Sequence, residues 1–206
     1  MLRKFKFFID FDKEEKWLNE MAKKGYQFLH KSIFGYTFQE SEPENTIIKI
    51  DFRRFKNQAD FIDYITLFED SGWKHVSGSK GSGAQYFKKI DPNAHDDIFS
   101  DQLSKAGKYK RLSEMFIELG LCYVPIFAAL VATDAIDIAA LFHPKQLYLT
   151  KGLWDMTGGE FWKAFLFETP FVIFRTLSWL FIPIMILLYF TFGYKAQMLF
   201  EKHKNQ

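Results

Sequence analysis

Cysteine is almost missing from this chain, with one thiol, Cys122, in 206 residues. A lone cysteine closes no internal disulfide, and five scattered histidines without a second thiol make no structural zinc cluster. The covalent and metal staples of small secreted scaffolds are therefore excluded. An excess of one charge is lacking too. Twenty-seven Lys and Arg against 25 Asp and Glu leave a formal net charge of +2, without the basic surplus that direct nucleic-acid binding requires. The opening MLRKFKFFIDFDKEE is broken by charges at positions 3, 4, 6, 10 and 12, so it does not read as a secretory signal. What is abundant is apolar: 48% of residues, with 19% aromatic. That is far too hydrophobic for a disordered chain and enough for one or two small domains.

Charge is distributed very unevenly. Residues 1–91 carry 16 Lys/Arg and 14 Asp/Glu, whereas residues 171–193 carry only Arg175. From Met115 to Thr133 the chain reads MFIELGLCYVPIFAALVAT, with Glu118 its one charge. As a helix, the 23 residues from 171 to 193 rise about 35 Å, enough to cross a hydrocarbon core of about 30 Å with some tilt. A chain of this size has too few other elements to bury two such helices all round, so both read as membrane spans. Pro125 and Pro183 are tolerated where neighbouring groups take up the freed carbonyl. Lys105, Lys108, Lys110 and Arg111 precede the first span, and Lys195, Lys202 and Lys204 follow the second. The connection between the spans is poorer in cations, so both termini are expected in the cytoplasm. Within that connection, residues 150–168 hold Trp154, Phe161, Trp162 and Phe165 among charges, as an interfacial helix would. Glu118 and Arg175 are functional candidates as intramembrane charges, but both lie within a turn or two of a span end, where long side chains reach the interface.

The N-terminal part is periodic. Phe5, Phe7 and Ile9 alternate like a strand, and Asp12 with Glu15 three residues on opens a helix as a capping box. That helix presents Trp17, Leu18, Met21 and Ala22 and ends at Gly25. Alternation at Tyr26–Phe28–His30 and at Tyr36–Phe38 adds two strands. The same order recurs: a strand at Ile48–Ile50–Phe52, a helix with Phe61, Ile62, Ile65 and Phe68 inward, Gly72, then strands at 73–77 and 85–89. Ile9-Asp10-Phe11 echoes Ile50-Asp51-Phe52, and Gly25-Tyr26 echoes Gly72-Trp73. A duplication covering about 3–40 and 46–90 is expected, at a spacing of roughly 45 residues. The predicted fold class is α+β: a two-layer domain over 1–91 built from a duplicated strand-helix-strand-strand unit, a polar and basic linker over 92–114, and a two-helix transmembrane hairpin within 115–206.

The run FKFFIDFDKEEKWLNEMAKKGYQF, the central IIKIDF, the later FEDSGW and the final YFKK, followed by hydrophobic spans, resemble the bacterial membrane proteins catalogued as domain of unknown function 2812. The resemblance covers about residues 3–90. It implies no catalytic residues, and an association with PadR-type transcriptional repressors, hence a regulatory or sensory role. The doubled unit is also similar in topology to GyrI-like effector-binding domains, whose small ligands lie between the repeats; that likeness is one of fold.

Catalytic chemistry has no visible candidate. Asp10-Phe11-Asp12 matches a loose metal-binding D-x-D, but Asp12 is expected to cap a helix. The segment Gly78–Gly83 lacks the order of a phosphate-binding loop and reads as a hairpin connection. His30 and His75 read as ordinary strand residues. No catalytic residue, metal ligand or cofactor is therefore expected. Of the aromatic residues, most belong to the core, while Trp17, Tyr26, Tyr36, Trp73 and Tyr86 are the candidates for lining a ligand or partner cleft. Lys105, Lys108, Lys110 and Arg111 form a candidate membrane-surface cluster for anionic lipid, at about 1 kcal/mol per basic residue near the surface. The expected partners are membrane lipid, a protein (a PadR-type repressor or a membrane complex) and a small hydrophobic ligand. The reading is a membrane-anchored regulatory or sensor protein; the alternative is an accessory subunit of a transporter or envelope assembly. Fractionation checks its base: the intact chain should leave the membrane fraction only with detergent, and a monomer recovered from the supernatant without it would refute both spans.

Overall fold

A computed structural model describes residues 1–205. The chain divides into two compact units, one of residues 1–115 with the tail from Phe192, the other of residues 116–191. Among the described residues the architecture is α+β, with two three-stranded antiparallel sheets and five α-helices, two of them long and apolar.

In the first unit, β1 (Leu2–Lys4), β2 (Tyr26–Ser32) and β3 (Gly35–Glu40) form a sheet in the order β1-β3-β2. A second sheet of β4 (Ile48–Phe52), β5 (Trp73–Ser77) and β6 (Ala84–Lys89) has the order β4-β6-β5. The sheets do not merge into one hydrogen-bonded sheet; they meet where the Lys31 amide donates to Ser77 Oγ at 3.2 Å. Helix α1 (Phe11–Lys23) buries Phe11, Leu18, Met21 and Ala22, and α2 (Gln58–Asp70) buries Phe61 and Tyr64. Each second strand carries an irregularity, between Phe28 and His30 and between His75 and Ser77.

Several local expectations shift. The first strand lies at residues 2–4, not 5–9. Lys4 pairs with Tyr36, β3 begins one residue earlier at Gly35, and no β3 residue remains to pair with Lys6 onward. Asp10, not Asp12, caps α1, its Oδ1 accepting from the amides of Asp12 and Lys13. The Asp12 carboxylate is drawn instead to charges on other helices, described below. Both domain helices end as glycine predicts: Gly25 (φ +80°) and Gly72 (φ +84°) adopt the left-handed conformation that other L-residues enter at a cost.

The segment expected to be a linker is helical in its second half. Helix α3 (Gln102–Ala132) starts where Asp101 Oδ1 accepts from the Ser104 amide at 2.8 Å, and it buries Ala106, Tyr109 and Leu112 against the first unit. Its remainder contains the apolar stretch read from sequence. The second apolar stretch lies inside α5 (Gly158–Lys204), a 47-residue helix that continues through Pro170 and Pro183. Only 6% of the most apolar window of each helix is buried, so neither is a core helix of its unit. Both are long and apolar enough to cross a membrane.

In the second unit, Tyr189 of α5 lies 5.7 Å from Tyr123 of α3. The connection contains α4 (Ile138–Phe142) and two short 3-10 turns. The aromatic stretch at 150–168 is not a separate helix, because α5 already begins at Gly158. Its rings gather with Tyr148, which stacks on Phe165 at 5.2 Å and meets Trp154 at 5.3 Å. Arg175 donates to the Leu147 carbonyl at 2.5 Å, which gives that charge a positioning role in the connection.

A Cβ at Gly72 would stand 2.7 Å from Asp91 Cβ and 2.9 Å from Ala94 Cβ. Gly72→Ala should therefore lower unfolding free energy by at least the 1–2 kcal/mol, roughly, of a left-handed alanine. Denaturant unfolding of the full chain in detergent measures it, and an unchanged midpoint would refute the strained-turn assignment.

Candidate functional site

Along α1, Phe11, Glu14, Leu18 and Met21 share the face turned to the sheets, and one of the four is charged. Glu14 is fully buried. Its Oε1 accepts three donors: Tyr36 Oη at 2.7 Å, Tyr86 Oη at 2.6 Å and Lys31 Nζ at 3.0 Å. Tyr36 comes from β3, Tyr86 from β6 and Lys31 from β2, so the carboxylate sits where both sheets converge. Its Oε2 is buried with no hydrogen-bond partner. Burial first, and then the Glu14 carboxylate, push the Tyr36 and Tyr86 hydroxyls far above their ordinary pKa, so both remain donors. The Lys31 ammonium lies 4.9 Å from the Tyr36 ring centroid and 5.9 Å from that of Tyr86. Phe28 packs 5.1 Å from Tyr86, and Trp17 meets Tyr36 edge-on at 4.8 Å. The result is a carboxylate in an aromatic cage, with an internal ammonium as its cation and one acceptor oxygen unmatched.

Of the five aromatics singled out from the sequence, Tyr36, Tyr86 and Trp17 are brought together here. Tyr26 lies on β2 with the Lys4 ammonium 5.9 Å from its ring, and Trp73 is buried in a separate cluster with Tyr64 and Phe87. Glu14 and Lys31 were missed by sequence reasoning. The available signal was a charge at i+3 from Phe11 and i−4 from Leu18, in the middle of an apolar stripe.

The neighbouring carboxylates of α1 form a second polar cluster. Lys108 of α3 is 1% exposed and donates to Asp12 Oδ1 at 3.1 Å and Glu15 Oε1 at 3.0 Å. Glu15 also accepts from the Ile50 amide at 3.0 Å and from Lys49 Nζ at 3.1 Å, which ties α1 to β4. Tyr109 Oη lies 3.1 Å from Asp10 Oδ1 and 3.2 Å from Asp12 Oδ1. His203, at the end of α5, stacks on Tyr109 at 4.8 Å and places Nε2 2.8 Å from Asp12 Oδ2. Arg111 donates to Asp51 Oδ1 at 2.6 Å and to the Phe52 carbonyl at 2.5 Å, and Tyr64 Oη completes Asp51 at 2.8 Å.

The cations read as a membrane-surface cluster are thus mostly committed within the domain. Lys108 is buried, Arg111 is held by Asp51, and Lys105 donates to Asp97 at 2.8 Å. Lys110 stays exposed, 4.0 Å from Glu114. Asp10 and Asp12 serve as a helix cap and an ion-pair partner, and among the described residues no group of three or more His, Cys, Asp or Glu is placed to hold a metal ion. His30 faces Thr37 Oγ1 at 3.3 Å and His75 faces Gln85 at 3.1 Å, each bonded within its own sheet.

A family model described as "Protein of unknown function (DUF2812)" matches residues 10–121, more than half of the chain. The chain belongs to the DUF2812 family. The match takes in Glu14, Lys31, Tyr36, Tyr86 and Lys108 and extends into the apolar part of α3. No curated protein and no solved structure matches.

Burial alone would raise the pKa of Asp12, but the Lys108 ammonium and the hydrogen bond to His203 outweigh it and hold the group down to about 2. The folded value lies below the unfolded one, so this stabilisation is complete above about pH 4 and is lost as pH falls toward 2. Between pH 4 and 2 the denaturation midpoint of the wild type should fall more steeply than that of Asp12→Asn. Parallel slopes would refute the role of this carboxylate.

Proposed function

We propose that this protein is a membrane-anchored regulatory or sensor protein whose first unit lies at the cytoplasmic face and takes up a small ligand at the Glu14 cage, without catalysis. The observation that carries the reading is Glu14 Oε2, a fully buried carboxylate oxygen with no partner, walled by tyrosines where two sheets meet. An unmatched buried acceptor is costly, and a ligand supplying a donor or positive charge on an apolar body would relieve it. Lys31, whose side chain is 30% exposed, is the group such a ligand would move aside on entry.

The route of output is also proposed. One face of α1 carries Glu14, and the next carries Asp12 and Glu15, which grip Lys108 of α3 and, through His203, the end of α5. A shift of α1 on ligand entry would strain contacts to both helices that contain an apolar span. We read those spans as a two-pass anchor with both termini inside, as the lysine and arginine distribution implies. The two sheet-and-helix halves read as copies of one unit. Supporting this are the common strand order, the left-handed glycine after each helix and the irregularity at the same place in each second strand.

Thermal unfolding of the full chain in detergent tests the cage, using alkyl- and aryl-ammonium compounds beside neutral isosteres. The ammonium compounds should raise the midpoint, since a ligand at a hundred times its Kd stabilises by about 2.7 kcal/mol. Glu14→Gln should abolish the gain. Equal shifts by neutral isosteres, equal shifts in Glu14→Gln, or no shift by any compound would overturn the ligand reading.

A further inference from the structure

Where α5 runs on past its apolar stretch, its last turns face the Phe7–Lys13 segment across a groove of about 540 Å³. Its lining is apolar at Phe7, Phe8 and Met198 and basic at Lys13, Lys195 and Lys202. Phe7 is 62% exposed even though its ring lies 5.4 Å from that of Phe192, Met198 is 57% exposed and the nearby Phe5 81%, a cost in water. The carboxylate in the lining, Asp10, is engaged as the cap of α1 and by the Tyr109 hydroxyl, with Lys13 Nζ at 3.7 Å. Among the described residues no carboxylate pairs with Lys195 or Lys202.

We propose that this groove is a docking site for acidic phospholipid, with the lysines meeting the phosphate headgroup and Phe7, whose ring lies 5.4 Å from that of Phe192, reaching the apolar boundary beneath it. The proposal rests on the reading that α5 crosses a bilayer. Two arguments select lipid over other occupants. The first is charge complementarity: three cations share one groove with apolar side chains, a pairing that suits an anionic headgroup and the acyl chains attached to it. The second is continuity along one helix. Lys195 follows the end of the apolar stretch at Gly193 by two residues, and Lys202 is about 13 Å farther along the axis than Gly193 at 1.5 Å per residue. A helix leaving the hydrocarbon there delivers these lysines to the depth of the headgroups and the ionic layer below them. The lipid-facing cations are therefore Lys13, Lys195 and Lys202, in place of the paired cluster at 105–111. Each cation near an anionic surface multiplies affinity about fivefold, with strong salt dependence.

The full chain in phosphatidylcholine nanodiscs, with or without phosphatidylglycerol, provides the test, read by hydrogen exchange of residues 5–13 and 195–202. Phosphatidylglycerol should slow exchange in both segments. The Lys13→Gln/Lys195→Gln/Lys202→Gln variant should lose that protection at an unchanged unfolding midpoint, and the corresponding triple arginine variant should keep it. Equal exchange in the two kinds of disc, or protection that survives the glutamine variant, overturns the site. Protection reproduced by soluble glycerophosphate in phosphatidylcholine discs also overturns it, as that would make the groove a receptor for a free phosphate. Incorporation is scored separately by co-elution with the disc: a chain that fails to enter refutes the anchored reading and this proposal together, whereas a chain that enters without a phosphatidylglycerol effect refutes this proposal alone.

Discussion

The organisation of the first unit depends on one electrostatic constraint: helix α1 takes charge out of water on two faces at once. Glu14 and Glu15 are both buried, and Asp12 beside them is partly so. Removing an ion from water costs several kcal/mol even after relaxation, so each carboxylate must be met by cations and donors with good geometry. Those partners come from β2, β3, β4, β6, α3 and α5. A single helix thereby ties together six other elements of the unit. An apolar α1 would pack as well but would leave the positions of α3 and the end of α5 much less specified.

The two faces of α1 differ in how completely they are satisfied. Around Glu15 both oxygens are used, by Lys108 and the Ile50 amide on one and by Lys49 on the other. Around Glu14 three donors crowd one oxygen and none reaches the second. A fully matched network rigidifies, whereas a partly matched one retains a reason to change. That contrast between adjacent residues of one helix distinguishes the clasp from the cage.

Local periodicity made much of this architecture legible. Helices at 11–23 and 58–70 follow from apolar spacing and terminal glycines, the strands from alternation, and the long apolar stretches from length alone. The errors lie where a distant partner overrides a local rule. Asp12 has the spacing of a capping residue, yet a lysine 96 residues away claims its carboxylate and Asp10 takes the cap. Residues 102–114 have the composition of a linker, because Lys105, Lys108 and Arg111 look solvated until their acidic partners are known. Phe5 and Phe7 alternate like a strand, but β3 starts at Gly35, next to the partner of Lys4, and supplies no residue opposite Phe7. Of the cage, the tyrosines were visible as conspicuous aromatics. The carboxylate was hidden by its ordinary appearance among Asp12, Glu15 and Glu20.

The bond between Asp12 and His203 joins residues 191 positions apart. His203 follows both apolar stretches in the chain and is made after them. The strands and helices around α1 can form as they are made, but the bond from α1 to His203 closes only once residue 203 has been made. Assembly thus acquires an order: the two long apolar helices are made before the first unit is sealed, and a polypeptide cut short of residue 203 is left with its histidine key missing.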